Sequence, residues 1–371
     1  MLTRSSKGLC VVFVVSTLGR SGPTRQLLNL ARHLYALSVN VHIVTLSPET
    51  NESLINIFRS AKLTLHSLDL TRLQSILFGL PRLKSLITEL DPDIIHSQGL
   101  RSDALCAYIK HPVKITTQRN NPSSDYPRLY GPLVGQLSAL LHVYVQRNLL
   151  VVKCAKSIGH ESTKHQRRSF VIPNGVEVKA FSPLENPSDR PHLRERLELP
   201  KTGCLFLYTG PLISRKNITC LIKGFSNLSS GSDHLIILGS GPEGVVLREL
   251  ANHHPAIHFR DPVPDVLPYL QAVDYFISAS SDEGLPNSVL EALATGLPVL
   301  LSDIPSHREI LERTHNAGVF FDPKVPQSLS RLISDIPNRH LSSSAARALA
   351  CAHFDSIKVA EQYLALYENS L

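Results

Sequence analysis

Two glutamates, Glu283 and Glu291, are separated by seven residues in the run Ser280-Ser281-Asp282-Glu283-Gly284-Leu285-Pro286-Asn287-Ser288-Val289-Leu290-Glu291. The run reads as the end of a buried strand, a polar loop at Gly284, and a helix with Pro286 in its first turn, where a missing N–H costs nothing. The N-terminus of that helix offers the backbone N–H groups of Leu285, Asn287 and Ser288, together with the positive end of the helix dipole, to an anion such as a phosphate. Glu283 stands before the helix and Glu291 one to two turns inside it, so the two carboxylates address different ends of a ligand. An ionised carboxylate only accepts hydrogen bonds, and the paired hydroxyls of a sugar suit it as donors. The bland alternative is a helix-start carboxylate that favours the dipole and an exposed Glu291.

A second segment, Tyr208-Thr209-Gly210-Pro211-Leu212-Ile213-Ser214-Arg215-Lys216-Asn217, also lies between a strand and a helix. Arg215 supplies a planar fork and Lys216 a point charge, together a grip for a diphosphate; alone, such a pair is usually a solvated surface feature. A third segment, Ser16 to Arg25, follows the first strand and carries Gly19, Arg20 and Gly22. It is neither GxGxxG nor a Walker loop, since the lysine and hydroxyl of a P-loop are missing, and NTP hydrolysis is disfavoured. Gly239-Ser240-Gly241-Pro242 is a fourth glycine-rich turn and carries little weight alone. Among the 17 histidines no His-x-x-x-His or Glu-x-x-His spacing makes a convincing metal site, and His253-His254 reads as an exposed loop.

These segments need elements to hold them. Short β-branched runs alternate with helix-period segments: strands near Cys10–Ser16, Val41–Leu46, Leu63–Leu68, Asp93–His96 and Val113–Thr117, with helices near Thr24–Leu37 and Thr71–Leu90 between them. The alternation breaks at Phe170–Pro183 and restarts at Cys204–Thr209, His234–Leu238, Asp274–Ala279 and Pro298–Ser302, again with helices between. Two helical patterns, Ser343–Ala352 and Ile357–Tyr367, close the chain. This is the signature of an α/β protein with two successive Rossmann-like, doubly wound domains. In such sheets ligands sit beyond the carboxyl ends of the strands. The expected organisation is an N-terminal domain at 1–172, a C-terminal domain at 173–355 and a closing helix at 356–371.

The composition agrees with two folded domains: 371 residues, 43% hydrophobic and 19% charged, which excludes a mostly disordered chain. The net charge of +7 points to anionic partners, and it is unevenly spread. Residues 1–172 hold 21 Lys/Arg against 9 Asp/Glu, net +12, while residues 173–371 hold 17 against 22, net −5. The six cysteines have no motif spacing and read as buried, reduced thiols. Arg4 and Lys7 before Leu9–Val15 imitate a signal peptide, but no small-residue cleavage pattern follows, and a first buried strand is the better reading. No run of about 18 apolar residues exists; the longest candidate, Val134–Val152, is interrupted by Gln136, His142, Gln146, Arg147 and Asn148.

The combination of motifs resembles glycosyltransferase family four, retaining enzymes of GT-B architecture. The resemblance rests on Glu283 and Glu291 in Glu-Gly-Leu-Pro-Asn-Ser-Val-Leu-Glu-Ala with the following Gly-Leu-Pro-Val, on the Gly19–Gly22 loop, on Ile172-Pro173-Asn174-Gly175-Val176, and on Gly210 with Arg215-Lys216-Asn217. It covers nearly the whole chain. It implies two Rossmann-like domains facing a nucleotide-sugar cleft, with Ser356–Leu371 crossing back to the first domain. It assigns Glu291 to the ribose hydroxyls, Glu283 to the donor sugar and its transition state, Arg215 and Lys216 to the departing diphosphate, and Gly22 to the phosphate end. It also implies same-face attack, with no obligatory metal or other cofactor. Two departures stand out. Thr117-Gln118-Arg119-Asn120-Asn121 occupies the place where many members carry a histidine, and Pro211 replaces an arginine common after Gly210. The string Gln118–Asn121 with Asp125, Tyr126 and Gly131 is similar to a subgroup that builds bacterial surface polysaccharides.

The resemblance therefore implies transfer of a hexose or N-acetylhexosamine from a nucleotide-sugar, UDP-linked by family precedent, to a sugar or a polyprenyl-diphosphate-linked oligosaccharide. Arg20, Arg119 and Asn120 are the acceptor-side candidates. The +12 of the N-terminal half suits a lipid diphosphate or an acidic membrane, with Pro132–Leu150 as a possible interfacial helix if it is not simply a buried cover for the sheet. Nucleic acid is the least supported partner. A cytoplasmic protein, peripheral at the inner face of the membrane, is the expected setting. A nucleotide-sugar epimerase and a non-catalytic two-lobed sugar receptor are the alternatives; the first needs further acid/base residues facing the donor, the second an export signal.

Overall fold

A computed structural model describes residues 8–158, 169–228, 232–252 and 254–371. Arg4, Lys7 and His253 lie outside the described residues. The chain divides into two compact units: unit 1 is Met1–Gly175 with Ser356–Leu371, and unit 2 is Val176–Asp355.

Unit 1 runs β1 (Cys10–Val15), α1 (Gly22–Ala36), β2 (Asn40–Thr45), α2 (Ile55–Ser60), β3 (Thr64–Ser67), α3 (Arg72–Leu90), β4 (Ile94–Gln98), α4 (Leu100–Ala107), β5 (Lys114–Gln118), α5 (Pro122–Tyr130), α6 (Pro132–Gln146), β6 (Leu150–Lys153) and β7 (Ser169–Val171). Its sheet is parallel throughout, in the order β3-β2-β1-β4-β5-β6-β7. β1 reads Cys-Val-Val-Phe-Val-Val because both faces of a parallel sheet are covered, so alternation gives way to a continuous apolar run. One face is sealed by α1, α2 and the last helix, through Leu27, Leu34, Phe58 and Tyr363 against Val11, Phe13 and Val15. The other is sealed by α3 and α4, through Leu83, Ile87 and Cys106 against Val12 and Val14. α6 packs beside α4.

Unit 2 continues with α7 (Arg190–Arg196), β8 (Leu205–Thr209), α8 (Ile218–Ser226), β9 (His234–Leu238), α9 (Gly244–Ala251), β10 (Ile257–Arg260), α10 (Leu267–Ala272), β11 (Tyr275–Ser278), α11 (Asn287–Ala294), β12 (Val299–Ser302), α12 (Pro305–Leu311), β13 (Gly318–Phe321), α13 (Pro326–Asp335) and α14 (Ser343–His353). Its parallel sheet is ordered β10-β9-β8-β11-β12-β13. The chain then returns to unit 1 as α15 (Ser356–Ser370), which packs on α1. Tyr363 and Tyr367 of α15 are buried, and Tyr367 Oη lies 2.6 Å from Nδ1 of His96 on β4. Each unit has the doubly wound order, so each has one switch point, between β1 and β4 and between β8 and β11.

Several elements depart from the sequence reading. β6, β7, β10 and β13, each four residues or fewer, were not expected as strands. Pro132–Leu150 is not one helix, since α6 ends at Gln146 and Leu150 already belongs to β6. The cysteines are all free, as expected, but only Cys106, Cys154 and Cys220 are buried; Cys204 is exposed. Among the described residues, no helix is long and apolar enough to cross a membrane.

Candidate active site

The loops that leave β8 and β11 flank the switch point of unit 2, the position where open α/β sheets bind ligands. The β8 loop carries Gly210 to Lys216 and the β11 loop carries Ser280 to Glu283. Gly210 takes φ +149°, and a Cβ on the facing Gly239 would lie 1.9 Å from the Gly210 carbonyl oxygen. The Gly239-Ser240-Gly241 turn is thus accounted for by close backbone packing: Ser240 O accepts from Leu212 N–H at 2.9 Å. Only glycine allows that approach.

Glu283 is the centre of the cluster, its side chain 6% exposed. Arg215 donates to Oε2 at 2.5 Å and also to the Asp282 carbonyl at 3.0 Å. Lys216 Nζ pairs with Oε1, and Ser280 Oγ donates to the same oxygen at 2.8 Å. Backbone contacts fix the two loops to each other, since Ser281 N–H donates to Arg215 O at 2.8 Å. Burial alone pushes the Glu283 carboxyl up, but the Lys216 ammonium, the Arg215 guanidinium and the hydrogen bonds from Lys216 and Ser280 outweigh it and hold it at about 2. The carboxylate is therefore ionised throughout the physiological range. The site carries a fixed triad of two cations and one anion, with one net positive charge to meet a diphosphate.

The remaining donor-side candidates of this segment follow Glu283 in the loop and in α11. Leu285 is buried beneath the loop, while Asn287 and Ser288 open α11 and are half-buried. Pro286 serves as the N-cap residue of α11, one position earlier than expected. Glu291 lies in the second turn of α11 and is also half-buried. Sequence reasoning did not single out the residues behind the triad. Ser302 Oγ donates to the Ser280 carbonyl at 2.6 Å, and His307 Nδ1 lies 2.9 Å from the Ser302 carbonyl. His307 is fully buried, its imidazole pushed down to about 4 by burial, and its Nε2 is an orphan acceptor. Nothing in the strand-loop-helix pattern marks it.

In unit 1 the loops after β1, β4 and β5 surround a cavity of about 470 Å³. Its wall includes Arg20, Ser21, Gln118, Arg119, Asn120 and Tyr126. Gly19, Arg20, Ser21 and Pro23 line it on either side of Gly22, which forms the first turn of α1. Arg20 Nε donates to Glu52 O at 2.9 Å, and Arg119 to Asn174 Oδ1 at 2.5 Å. The Pro173-Asn174-Gly175 motif is pinned to α1 as well: Gln26 donates to the Gly175 carbonyl at 2.7 Å and accepts its N–H at 2.9 Å. Gln118 Oε1 is buried without a partner, an acceptor available to a hydroxyl.

Behind the cavity runs a relay that the sequence did not reveal. Asp103 is fully buried and accepts from Ser97 Oγ at 2.6 Å, Thr116 Oγ1 at 2.8 Å and His142 Nε2 at 2.6 Å. His142 Nδ1 lies 2.7 Å from the Tyr126 hydroxyl, which faces the cavity. The three residues sit on α4, α6 and α5, and His142 lines the cavity beside Tyr126, so the relay ties that wall to Asp103 of α4. Gly135 permits the α5–α6 crossing, since a Cβ there would lie 2.3 Å from the Pro127 backbone. Among the described residues, no group of His, Cys, Asp and Glu could hold a metal ion.

Comparison with known proteins gives this geometry a class. Residues 20–180 match the family described as Glycosyltransferase Family 4, and residues 203–338 match the one described as Glycosyl transferases group 1. The UDP complex of Anabaena HepE superposes on the chain with a TM-score of 0.81 at 17% identity, over 98% of this chain and all of that one. The chain is a glycosyltransferase of GT-B fold, related to family four. Among its relatives is the O-antigen biosynthesis glycosyltransferase WclY of Escherichia coli, 27% identical over 288 residues, which are 75% of this chain and 79% of WclY. Another is the putative teichuronic acid biosynthesis glycosyltransferase TuaC of Bacillus subtilis, 26% identical over 257 residues, 66% of this chain and 61% of TuaC.

Proposed function

We propose that this protein is a retaining glycosyltransferase. It moves a hexose or N-acetylhexosamine from a UDP-sugar to a sugar or lipid-diphosphate-linked oligosaccharide during assembly of a bacterial surface polysaccharide. The observation that carries the reading is the ion triad of Glu283, Arg215 and Lys216 at the switch point of unit 2. The names of WclY and TuaC support the polysaccharide, and the HepE complex supports UDP.

Breaking the anomeric C–O bond leaves positive charge on the sugar and negative charge on the diphosphate. Arg215 and Lys216 are fixed before the donor arrives, so stabilising the leaving group requires little reorganisation. Glu283 holds both cations in place and turns its acceptor capacity to the donor sugar's hydroxyls. Glu291 takes the ribose hydroxyls, while Leu285, Asn287 and Ser288 face the phosphates from the start of α11. The acceptor oxygen attacks the anomeric carbon on the face the diphosphate leaves, and its proton passes to the departing phosphate oxygen. Arg20, Arg119 and Asn120 belong to the acceptor side, with Gly22 at the phosphate end. The enzyme works in the cytoplasm, at the acidic inner face of the membrane where a lipid-linked acceptor resides.

The test is a panel of nucleotide-sugars offered with a polyprenyl-diphosphate-linked acceptor, read by product mass. One donor should add one sugar with its anomeric configuration retained. Interconversion of the donor without transfer, or ligand binding with no turnover for any donor, would overturn the reading.

A further inference from the structure

The ladder between β11 and β12 ends at the paired positions Ser278 and Leu301. The loop that carries Glu283 begins just beyond, and other bonds must hold it. On the β8 side, the Ser281 N–H donates to Arg215 O at 2.8 Å. On the β12 side a side chain takes over, since Ser302 Oγ donates to the Ser280 carbonyl at 2.6 Å. A hydroxyl has one proton to give. Its second contact, with His307 Nδ1 at 3.1 Å, is therefore one in which Ser302 Oγ accepts. The Ser302 carbonyl, 2.9 Å from the same nitrogen, can also only accept. Both contacts put the ring proton on Nδ1 and leave Nε2 with its lone pair. The imidazole is neutral, since burial holds it at about 4.

The result is a directed chain of hydrogen bonds. The Nδ1–H of His307, in the first turn of α12, donates to Ser302 Oγ at the end of β12. The Ser302 hydroxyl donates to the Ser280 carbonyl, and the Ser280 hydroxyl to Glu283 Oε1 at 2.8 Å. Ser278 Oγ, 3.2 Å from Ser280 Oγ, is the donor of that pair, because Ser280 has already given its proton to Glu283. His307, Ser302 and Ser280 are fully buried, so water does not compete for these bonds. Nε2 of His307 is buried without a partner, a cost that leucine or phenylalanine in its place would not carry. Packing alone does not call for a histidine here; the Nδ1 proton does.

We propose that His307 is a positioning residue of the donor site, which through Ser302 and Ser280 fixes the loop that presents Glu283 to the two cations and to the donor sugar. The proposal rests on the role given above to Glu283 in transfer. A displacement of about 1 Å at a reacting group is enough to cost a large factor in rate. Arg215 and Lys216 lie on the β8 loop, outside the hydrogen-bond chain, so the loss falls on turnover more than on the grip of the diphosphate.

In place of histidine, asparagine puts an amide N–H near the position of Nδ1, glutamine puts one near Nε2, and leucine has neither. The test compares His307→Asn, His307→Gln, His307→Leu, Ser302→Ala and the double variant Ser302→Ala with His307→Leu. Each is assayed for transfer with the UDP-sugar that the panel above shows to be a donor, for UDP binding by calorimetry, and for melting temperature. His307→Leu and His307→Gln should lower kcat about 10- to 100-fold, with the Kd for UDP within about threefold of wild type. His307→Asn should keep kcat within about threefold of wild type. Ser302→Ala should fall as far as His307→Leu, and the double variant no further. Wild-type kcat in His307→Leu overturns the proposal, as do equal losses in His307→Asn and His307→Gln, or a double variant whose loss is the product of the single ones. If His307→Leu does not fold, the asparagine and glutamine variants decide. Glu283→Gln is assayed beside them. Wild-type transfer by Glu283→Gln removes the role of Glu283 and the positioning with it, whereas a loss there with His307→Gln unimpaired removes the positioning alone.

Discussion

At the switch point of unit 2, two cations grip one carboxylate across two loops and leave one net positive charge; at that of unit 1, a cavity is walled mainly by neutral groups and tied to a buried relay. The contrast follows from what each unit faces in the proposed reaction. A diphosphate needs fixed positive charge aimed at the atoms that gain negative charge, and Arg215 and Lys216, 215 and 216 in one turn, provide it. A sugar acceptor is neutral, and it needs shaped hydrogen-bond capacity such as the orphan Gln118 Oε1. Fixed charge thus forms the centre of the unit 2 site, whereas in the unit 1 cavity Arg20, Arg119 and Asp125 stand among mainly neutral groups. The net charges of the two halves, +12 and −5, do not reveal this difference.

The largest expected effect tests the unit 2 side. Glu283→Gln keeps the size of the side chain and releases the two cations; transfer should fall on the order of 10²–10³-fold, with the circular dichroism of the folded protein unchanged. Next, His142→Gln keeps a donor to Asp103 but changes what Tyr126 meets. The acceptor KM should rise about tenfold, equal to about 1.4 kcal/mol, while the donor KM stays fixed. An equal rise in both would remove the distinction between the units. The smallest effect concerns pH. The Glu283 carboxyl is held at about 2, below the ordinary 4.5, so the stability it contributes is complete above 4.5 and is lost as the pH falls toward 2. Melting temperatures of wild type and Glu283→Gln should therefore converge over that window and run parallel from pH 5 to 8.

The two sites were not equally legible in the sequence. The triad lies in two contiguous loops, each between a clear strand and a clear helix, so residue type and local spacing were enough to nominate Glu283, Arg215 and Lys216. That Arg215 and Lys216 bind Glu283 itself was not legible, because 67 or more positions separate the partners. The relay was invisible for a related reason. Asp103, Tyr126 and His142 come from three different helices, and each alone resembles an ordinary helical residue. Pro132–Leu150 offered an interfacial helix or, more readily, a cover for the sheet; the structure buries one face of α6 and exposes the other, since packing against α4 and α5 decides which positions are inside.

The account rests on the donor's diphosphate being held by unit 2. Calorimetry of UDP binding to wild type, Lys216→Ala and Arg119→Ala tests this most directly. The account predicts that Lys216→Ala weakens UDP binding about 100-fold, equal to about 2.8 kcal/mol, while Arg119→Ala binds like wild type. Undiminished binding by Lys216→Ala, with the loss appearing in Arg119→Ala instead, would contradict it.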